Sequence, residues 1–169
     1  LLLSRERFTA HENLSQGSVA LDGSEGLSVQ FSTCCGPVPG DEIVGYLGRG
    51  EGLAVHVARC AVAQKLQYKD AERFIPVEWS DEPTRSFTAT LTVTVKNGKG
   101  VLARVATAVA SAEADIIHID MGQQAAQDAT DLRFSVSVRD TAHIEQVLRV
   151  LKRTPQVMRA QRAIPTSNS

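Results

Sequence analysis

From Phe87 to Val95 the chain alternates without a slip. Phe87, Ala89, Leu91, Val93 and Val95 are apolar, and Thr88, Thr90, Thr92 and Thr94 stand between them. Neighbouring side chains on a strand point to opposite faces, so this pattern specifies a strand with one face in a core and one in water. β-branched threonine suits that pleated, half-exposed surface. Asn97-Gly98-Lys99-Gly100 then turns, and Leu102, Val105, Ala106, Val109 and Ala112 recur at helical spacing through about residue 114. Ile117, Ile119 and Met121 alternate with His118 and Asp120 as a second strand, and residues 123–130 read as a polar loop. Leu132, Phe134, Val136 and Val138 give a third strand. Asp140 is placed to cap a helix whose stripe is Ile144, Val147, Leu148 and Leu151, with Pro155 limiting its end. Val157–Arg162 is a fourth, short strand. The order β-α-β-β-α-β predicts a ferredoxin-like unit, two helices on one side of a four-stranded antiparallel sheet. Its outer face would carry Thr88, Thr90, Thr92, His118, Asp120, Ser135 and Arg139.

The half before it is less regular. Residues 1–23 are mostly polar and read as a linker. Leu27, Val29 and Phe31 alternate with serine and glutamine as a short strand. Ile43 to Leu47 and Leu53 to Val57 flank Gly48-Arg49-Gly50-Glu51-Gly52, the punctuation of a tight hairpin. Good helix formers run from Ala58 to Gln67, and Arg73 to Trp79 is extended. Ser80 to Thr84 breaks the pattern. The expected organisation is a linker (1–23), a small α/β module (24–80), the ferredoxin-like domain (81–163) and a loose tail (164–169), an α+β chain.

All three cysteines lie in the first module, as Cys34, Cys35 and Cys60, with His56 between them. Three thiols and an imidazole complete a tetrahedral zinc set. From a regular strand Cys34 and Cys35 would point apart, but Gly36-Pro37 turns the chain there. His56 and Cys60 are four residues apart and converge if the helix begins by His56. The spacing lacks a C-x2-C knuckle, so small buried hydrophobes are an equal alternative. A redox pair at Cys34 and Cys35 is disfavoured by the backbone strain of a vicinal disulfide.

Three other features invite functions. Asn97, Gly98, Lys99, Gly100, Val101 and Leu102 join a strand to a helix N-terminus, where backbone amides could hold an anion; an ordinary turn has the same pattern. No dinucleotide or phosphate-loop motif is present. After Glu145 there are no acids, but there are Arg149, Lys152, Arg153, Arg159 and Arg162. That asymmetry suits a phosphate backbone, or is simply a solvated face. Arg49, Arg59 and Lys65 could add to it from the first module. His118 reads as solvent-facing, His143 as the exposed side of a helix turn and His11 as linker. None has a nucleophile partner, so no catalytic residue is assigned.

Composition excludes more than it specifies. The 169 residues carry a net charge of -1, so no overall basicity argues for nucleic acid. An odd, small cysteine count argues against a secreted disulfide scaffold and for a reducing, cytoplasmic setting. No apolar run reaches the roughly 18 residues that would cross a bilayer. Leu1-Leu2-Leu3 lacks the context of a signal peptide, and with no initiator Met the chain reads as a piece of a longer protein.

Cys34-Cys35-Gly-Pro-Val-Pro-Gly-Asp, Val55-His56-Val-Ala-Arg-Cys60 and Phe74-Ile-Pro-Val-Glu-Trp79 together resemble the C-terminal region of long RelA/SpoT homologues, the (p)ppGpp synthetases and hydrolases of the stringent response. The resemblance runs from about residue 24 to 163. It implies a conserved-cysteine (zinc-finger, or ribosome-intersubunit) module followed by an ACT domain. It implies a regulatory piece whose hydrolase, synthetase and tRNA-sensing TGS domains would precede it. The implied partners are ribosomal RNA and the chain's own catalytic half. Cys34, Cys35, His56 and Cys60 match the family's cysteine/histidine set, with zinc the implied metal. ACT domains pair edge to edge and bind amino acids at the strand-to-helix loop, here Asn97 to Leu102. An alternative function is therefore branched-chain amino-acid sensing through a homodimer.

Overall fold

The computed structural model describes residues 19–23, 28–50, 52–81, 83, 85–126 and 128–166. Most of the expected linker lies outside the described residues. The chain divides into two compact units: residues up to Arg85 together with those from Ile164 onward, and Ser86–Ala163.

In the first unit, strands β2 (Val29–Phe31), β3 (Ile43–Gly48), β4 (Gly52–Val57) and β5 (Phe74–Ile75) form a sheet in the order β2-β4-β3-β5. β2 runs parallel to β4, and β3 and β4 are the expected hairpin, with Gly45 opposite Val55 and Val44 opposite His56. Gly52 is required there: its φ is +83°, and a Cβ would lie 2.5 Å from the Ser28 carbonyl oxygen. Leu21, Ile43, Leu53, Val55, Ile75 and Val77 form the core, and Phe31 stacks on Trp79 at 5.6 Å.

Two features depart from expectation. Val19–Leu21, expected in the linker, is a strand (β1) paired in parallel with β6 (Val77–Trp79), and Leu21 is buried. Three residues are too few for a periodicity to show. The helix, expected from Ala58, is α1 (Ala61–Lys69). Ala58 N–H donates to the Glu42 carbonyl at 2.8 Å and Cys60 N–H to that of Val57 at 3.0 Å. These bonds hold 58–60 as a turn and leave Cys60 as an extended N-cap residue.

The second unit is the expected β-α-β-β-α-β. β7 (Phe87–Lys96), α2 (Val101–Ser111), β8 (Asp115–Ala126), β9 (Ala129–Val138), α3 (Thr141–Arg153) and β10 (Val157–Arg162) give a sheet in the order β10-β7-β9-β8, all antiparallel. Phe87 through Val95 at alternate positions are buried, as are Phe134, Val136, Val105, Val109, Val147 and Leu151. The Asp140 carboxylate accepts from His143 N–H at 2.8 Å, the predicted cap of α3.

Three expectations fail here. The polar loop at 123–130 is mostly strand, because β8 and β9 pair almost to their turn; a backbone ladder needs no apolar side chains. Gly122 allows the approach, since a Cβ there would lie 2.5 Å from the Asp131 carbonyl oxygen. Ile117 and Met121 do not share a core stripe with Ile119. The register slips between Ile116 and His118, so Ile116 opposes Val136 and Ile119 opposes Phe134, while Ile117 is 57% exposed. Met121 lies on an edge strand and is 66% exposed. Finally, His143 is buried, not exposed. Its Nδ1 accepts from Arg139 N–H at 3.1 Å and its Nε2 meets the Ala112 carbonyl oxygen at 2.7 Å. The imidazole thereby satisfies a carbonyl at the end of α2 and an amide before α3, which makes its burial tolerable.

Candidate metal centre

Cys34 and Cys35 sit in the turn that follows β2. Gly36 has a φ of +54°, and its N–H donates to the Ser32 carbonyl at 2.9 Å. This closed turn frees the two cysteines from strand alternation. His56 enters from β4 and Cys60 from the N-cap of α1. The expected helical i, i+4 convergence is therefore replaced by strand, turn and cap, with Ala58 and Arg59 carrying the chain round.

The four donor atoms lie within 4.8 Å of one another. Cys34 Sγ is 3.8 Å from Cys35 Sγ, 3.8 Å from Cys60 Sγ and 3.4 Å from His56 Nδ1; Cys35 Sγ is 3.8 Å from that nitrogen. A tetrahedral zinc bound at about 2.3 Å to sulfur and 2.0 to 2.1 Å to nitrogen sets its donors roughly 3.6 to 3.8 Å apart. Four of the six donor separations, at 3.4 to 3.8 Å, thus lie close to those of a zinc tetrahedron, and all six are within 4.8 Å. Ser32 Oγ is 3.0 Å from His56 Nε2, so the tautomer with Nε2–H donating to Ser32 turns the Nδ1 lone pair toward the thiols. Val57 N–H donates to Cys35 Sγ at 3.3 Å, support that a thiolate values most.

Cys35, Cys60 and His56 are buried and Cys34 is half-buried. Burial raises the Cys34 thiol, with the neighbouring Cys60 adding to it, and burial raises Cys35 as well. Burial lowers His56, which favours the neutral imidazole a metal needs. Without a cation, burial favours the protonated thiols of Cys34 and Cys35; a bound cation's charge would offset the cost of thiolates there. The Cys3His set can bind a metal. Four protein ligands fill a tetrahedron and leave no open position, so such a site is structural, not catalytic.

The remaining candidates are placed as follows. Asn97 to Gly100 are exposed, and Gly100, at a φ of +76°, caps α2 without a side-chain bond. Val101 is buried in the core, and Leu102 is 41% exposed. Two groups of the loop are engaged internally: Asn97 N–H donates to Asp128 O at 2.7 Å and Asn97 Oδ1 accepts from Thr130 at 2.7 Å. A Cβ on Gly98 would meet the Gln156 amide at 2.6 Å.

The five C-terminal bases do not share one surface. Arg149, Lys152 and Arg153 are exposed together on one face of α3. Arg159 lies opposite Thr94, on the sheet face away from the helices, and Arg162 opposes Leu91 and is half-buried. Arg49, Arg59 and Lys65 are exposed in the first unit. The structure adds two features that sequence reasoning missed. Tyr68 on α1 is 93% exposed beside Lys65 and Lys69; a lone tyrosine in a polar helix carries no signal of its exposure. Arg104 of α2 lines, with Arg153, a groove of about 490 Å³ whose floor includes Ala103, Ala108 and Val150. That juxtaposition is tertiary and has no sequence signature.

The paired modules are recognisable by comparison. The model of the RelA/SpoT RIS domain matches residues 19–80, and that of the ACT domain matches residues 83–162. The order defines a two-module regulatory region. The bifunctional (p)ppGpp synthase/hydrolase SpoT of Escherichia coli K12 is 27% identical over 148 residues, 88% of this chain and 21% of that protein. The GTP pyrophosphokinase of the same strain is 25% identical over 161 residues, 95% of this chain and 22% of that protein. The ACT domain from a Chlorobium tepidum GTP pyrophosphokinase covers 46% of this chain and 97% of its own length, at 14% identity and a TM-score of 0.39. The chain belongs to the RelA/SpoT family and consists, over residues 19–162, of its RIS and ACT domains. It spans about a fifth of the length of the curated relatives it matches. Among the described residues no helix is long and apolar enough to cross a membrane.

Proposed function

We propose that this chain is the regulatory C-terminal region of a cytoplasmic (p)ppGpp synthetase/hydrolase, in which it contacts ribosomal RNA and thereby controls the upstream catalytic domains. The observation that carries this is the RIS-ACT pair with a cationic face on each module. On the ACT domain, Arg149, Lys152 and Arg153 stand exposed on α3. On the RIS module, Arg59, Lys65 and Lys69 accompany an exposed Tyr68. Cations contact phosphates, and an exposed ring offers a stacking face to an unpaired base. The Cys34, Cys35, His56 and Cys60 cluster, loaded with zinc, would fix the turn that carries α1. Among this chain's residues nothing is assigned to catalysis; the chemistry belongs to the rest of the protein.

Binding of the fragment to ribosomes across a salt series tests the reading. Each lost phosphate contact reduces the slope of log K against log salt by roughly 0.7 to 0.9. Arg149→Glu, Lys152→Glu and Arg153→Glu together should flatten that slope and weaken binding. Unchanged binding would remove α3 from the interface.

A second reading is favoured by the exposed Asn97–Gly100 loop at the open N-terminus of α2, which presents amides to a carboxylate. In it the ACT domain binds a branched-chain amino acid and pairs with a second copy through edge strand β8. Calorimetry with Val, Ile and Leu against the native chain and Gly98→Val decides it. Absence of heat with all three ends it.

A further inference from the structure

After β10 the chain changes partners within two residues. Ala163 N–H donates to the Thr90 carbonyl at 2.8 Å in the second unit. Ile164 already belongs to the first unit. It is half-buried and packs against the cluster of Cys35, Val57, Cys60 and Ala63. The Pro165 carbonyl then accepts from Ala61 N–H at 3.0 Å. Ala61 is the first residue of α1, and the opening amides of a helix have no acceptor of their own. Cys60, as N-cap, offers no side-chain bond to them. The returning tail supplies the acceptor that this cap lacks, beside a thiol with no exposed surface.

We propose that Ile164–Pro165 form a strap across the thiol cluster, gating chemical access to Cys35 and Cys60. Its hold consists of one half-buried side chain and one backbone hydrogen bond, far less than the core of the unit, so it opens locally while the unit stays folded. Cys34, half-buried on the other strand turn, is reachable without that opening. The strap therefore divides the three thiols into one that reacts from the closed state and two that need the strap released. The reagents it would exclude are soft electrophiles and thiophilic cations, the species that attack sulfur. The inference goes beyond the regulatory reading and concerns the metal-free thiols.

Site-resolved alkylation tests it. The full chain, treated with chelator, is exposed to iodoacetamide and the initial rates at Cys34, Cys35 and Cys60 are read by mass spectrometry. Ile164→Ala and a chain ended at Ala163 should raise the rates at Cys35 and Cys60, relative to Cys34, by about tenfold or more, as expected when a local closure is removed. Ile164→Val, which keeps most of the packing, should leave the ratio near that of the native chain. The emission of Trp79, half-buried and stacked on Phe31 in the same unit, should not move. Equal ratios in native and strapless chains would overturn the proposal. So would a red-shifted Trp79 with all three thiols accelerated alike, because Ile164 would then be ordinary core.

Discussion

Ser32 is the residue on which the metal reading can be tried most sharply. Its hydroxyl is 3.0 Å from His56 Nε2 and is the hydrogen-bond partner of that nitrogen among the described residues. Its backbone is fixed independently: Ser32 N–H donates to Val55 O at 2.9 Å, and its carbonyl accepts from Gly36 N–H at 2.9 Å. Ser32→Ala therefore removes the hydroxyl and leaves the turn in place. His56 is 5% exposed, so its Nε2–H loses its acceptor in a buried site, which costs roughly 1 to 3 kcal/mol. Loss of a group that orients a metal ligand typically lowers affinity about 10- to 100-fold, which is about 1.4 to 2.8 kcal/mol. Competition against a chromophoric chelator should show a zinc affinity lower by that factor, with one ion still bound per chain. The Co²⁺-substituted protein should keep its thiolate charge-transfer bands, because no sulfur has been touched. Ser32→Thr should restore affinity. An unaltered affinity in Ser32→Ala would refute the orienting role. A native chain that takes up no zinc would refute the larger argument, leaving the convergence of the four side chains as a consequence of packing alone.

Other expectations follow from the same structure. In metal-free protein, His56 is neutral in the fold but charges in the unfolded chain below its ordinary 6.5, so stability is lost as pH falls through that region. Cys34 and Cys35 behave oppositely: the unfolded chain releases their protons above about 9.0 while the fold retains them, so stability also falls as pH rises beyond it. Melts followed by Trp79 should show a plateau between the two, and zinc should abolish the alkaline decline because its ligands are already thiolates. Gly45→Ala should destabilise the first unit by about 1 to 3 kcal/mol, since its Cβ would lie 2.9 Å from both Leu53 Cδ1 and Val77 Cγ1; urea unfolding monitored at Trp79 measures it. Asp140→Ala should cost about 1 kcal/mol in the second unit through loss of the bond to His143 N–H, read by circular dichroism.

What could be read in the sequence, and what could not, has a physical pattern. β7 was legible because each threonine reports a wet face and each apolar neighbour a dry one, and the ladder keeps that register over ten pairs. β8 was misread because a bulge after Ile116 moves later residues to the other face, and nothing in Ile-Ile-His-Ile marks the slip. His143 was misread because helical position says which face a side chain takes, not whether a carbonyl from another helix waits there. The cluster itself was legible as chemistry, since Cys34, Cys35, His56 and Cys60 are all the thiols and one imidazole in a single module, and the fold brings them together. Their mode of convergence was not, because the bonds from Ala58 to Glu42 and Cys60 to Val57 that delay α1 are tertiary and local at once. Charge ran the other way. Five bases crowded in sequence were dispersed by the fold, while Arg104 and Arg153, far apart in the chain, came to one groove.

The return of Ile164 and Pro165 makes the second unit a guest inserted in the first. A chain made from its N-terminus builds the first sheet early, but the residue that closes its thiol cluster follows only after the whole ACT domain has been synthesised. Domains generally fold as they emerge, N-terminal first. Here the earlier module is the last to be completed. Excision of residues 86–163 as a single piece respects the fold, whereas a cut at Arg85 leaves the RIS module without its final seam.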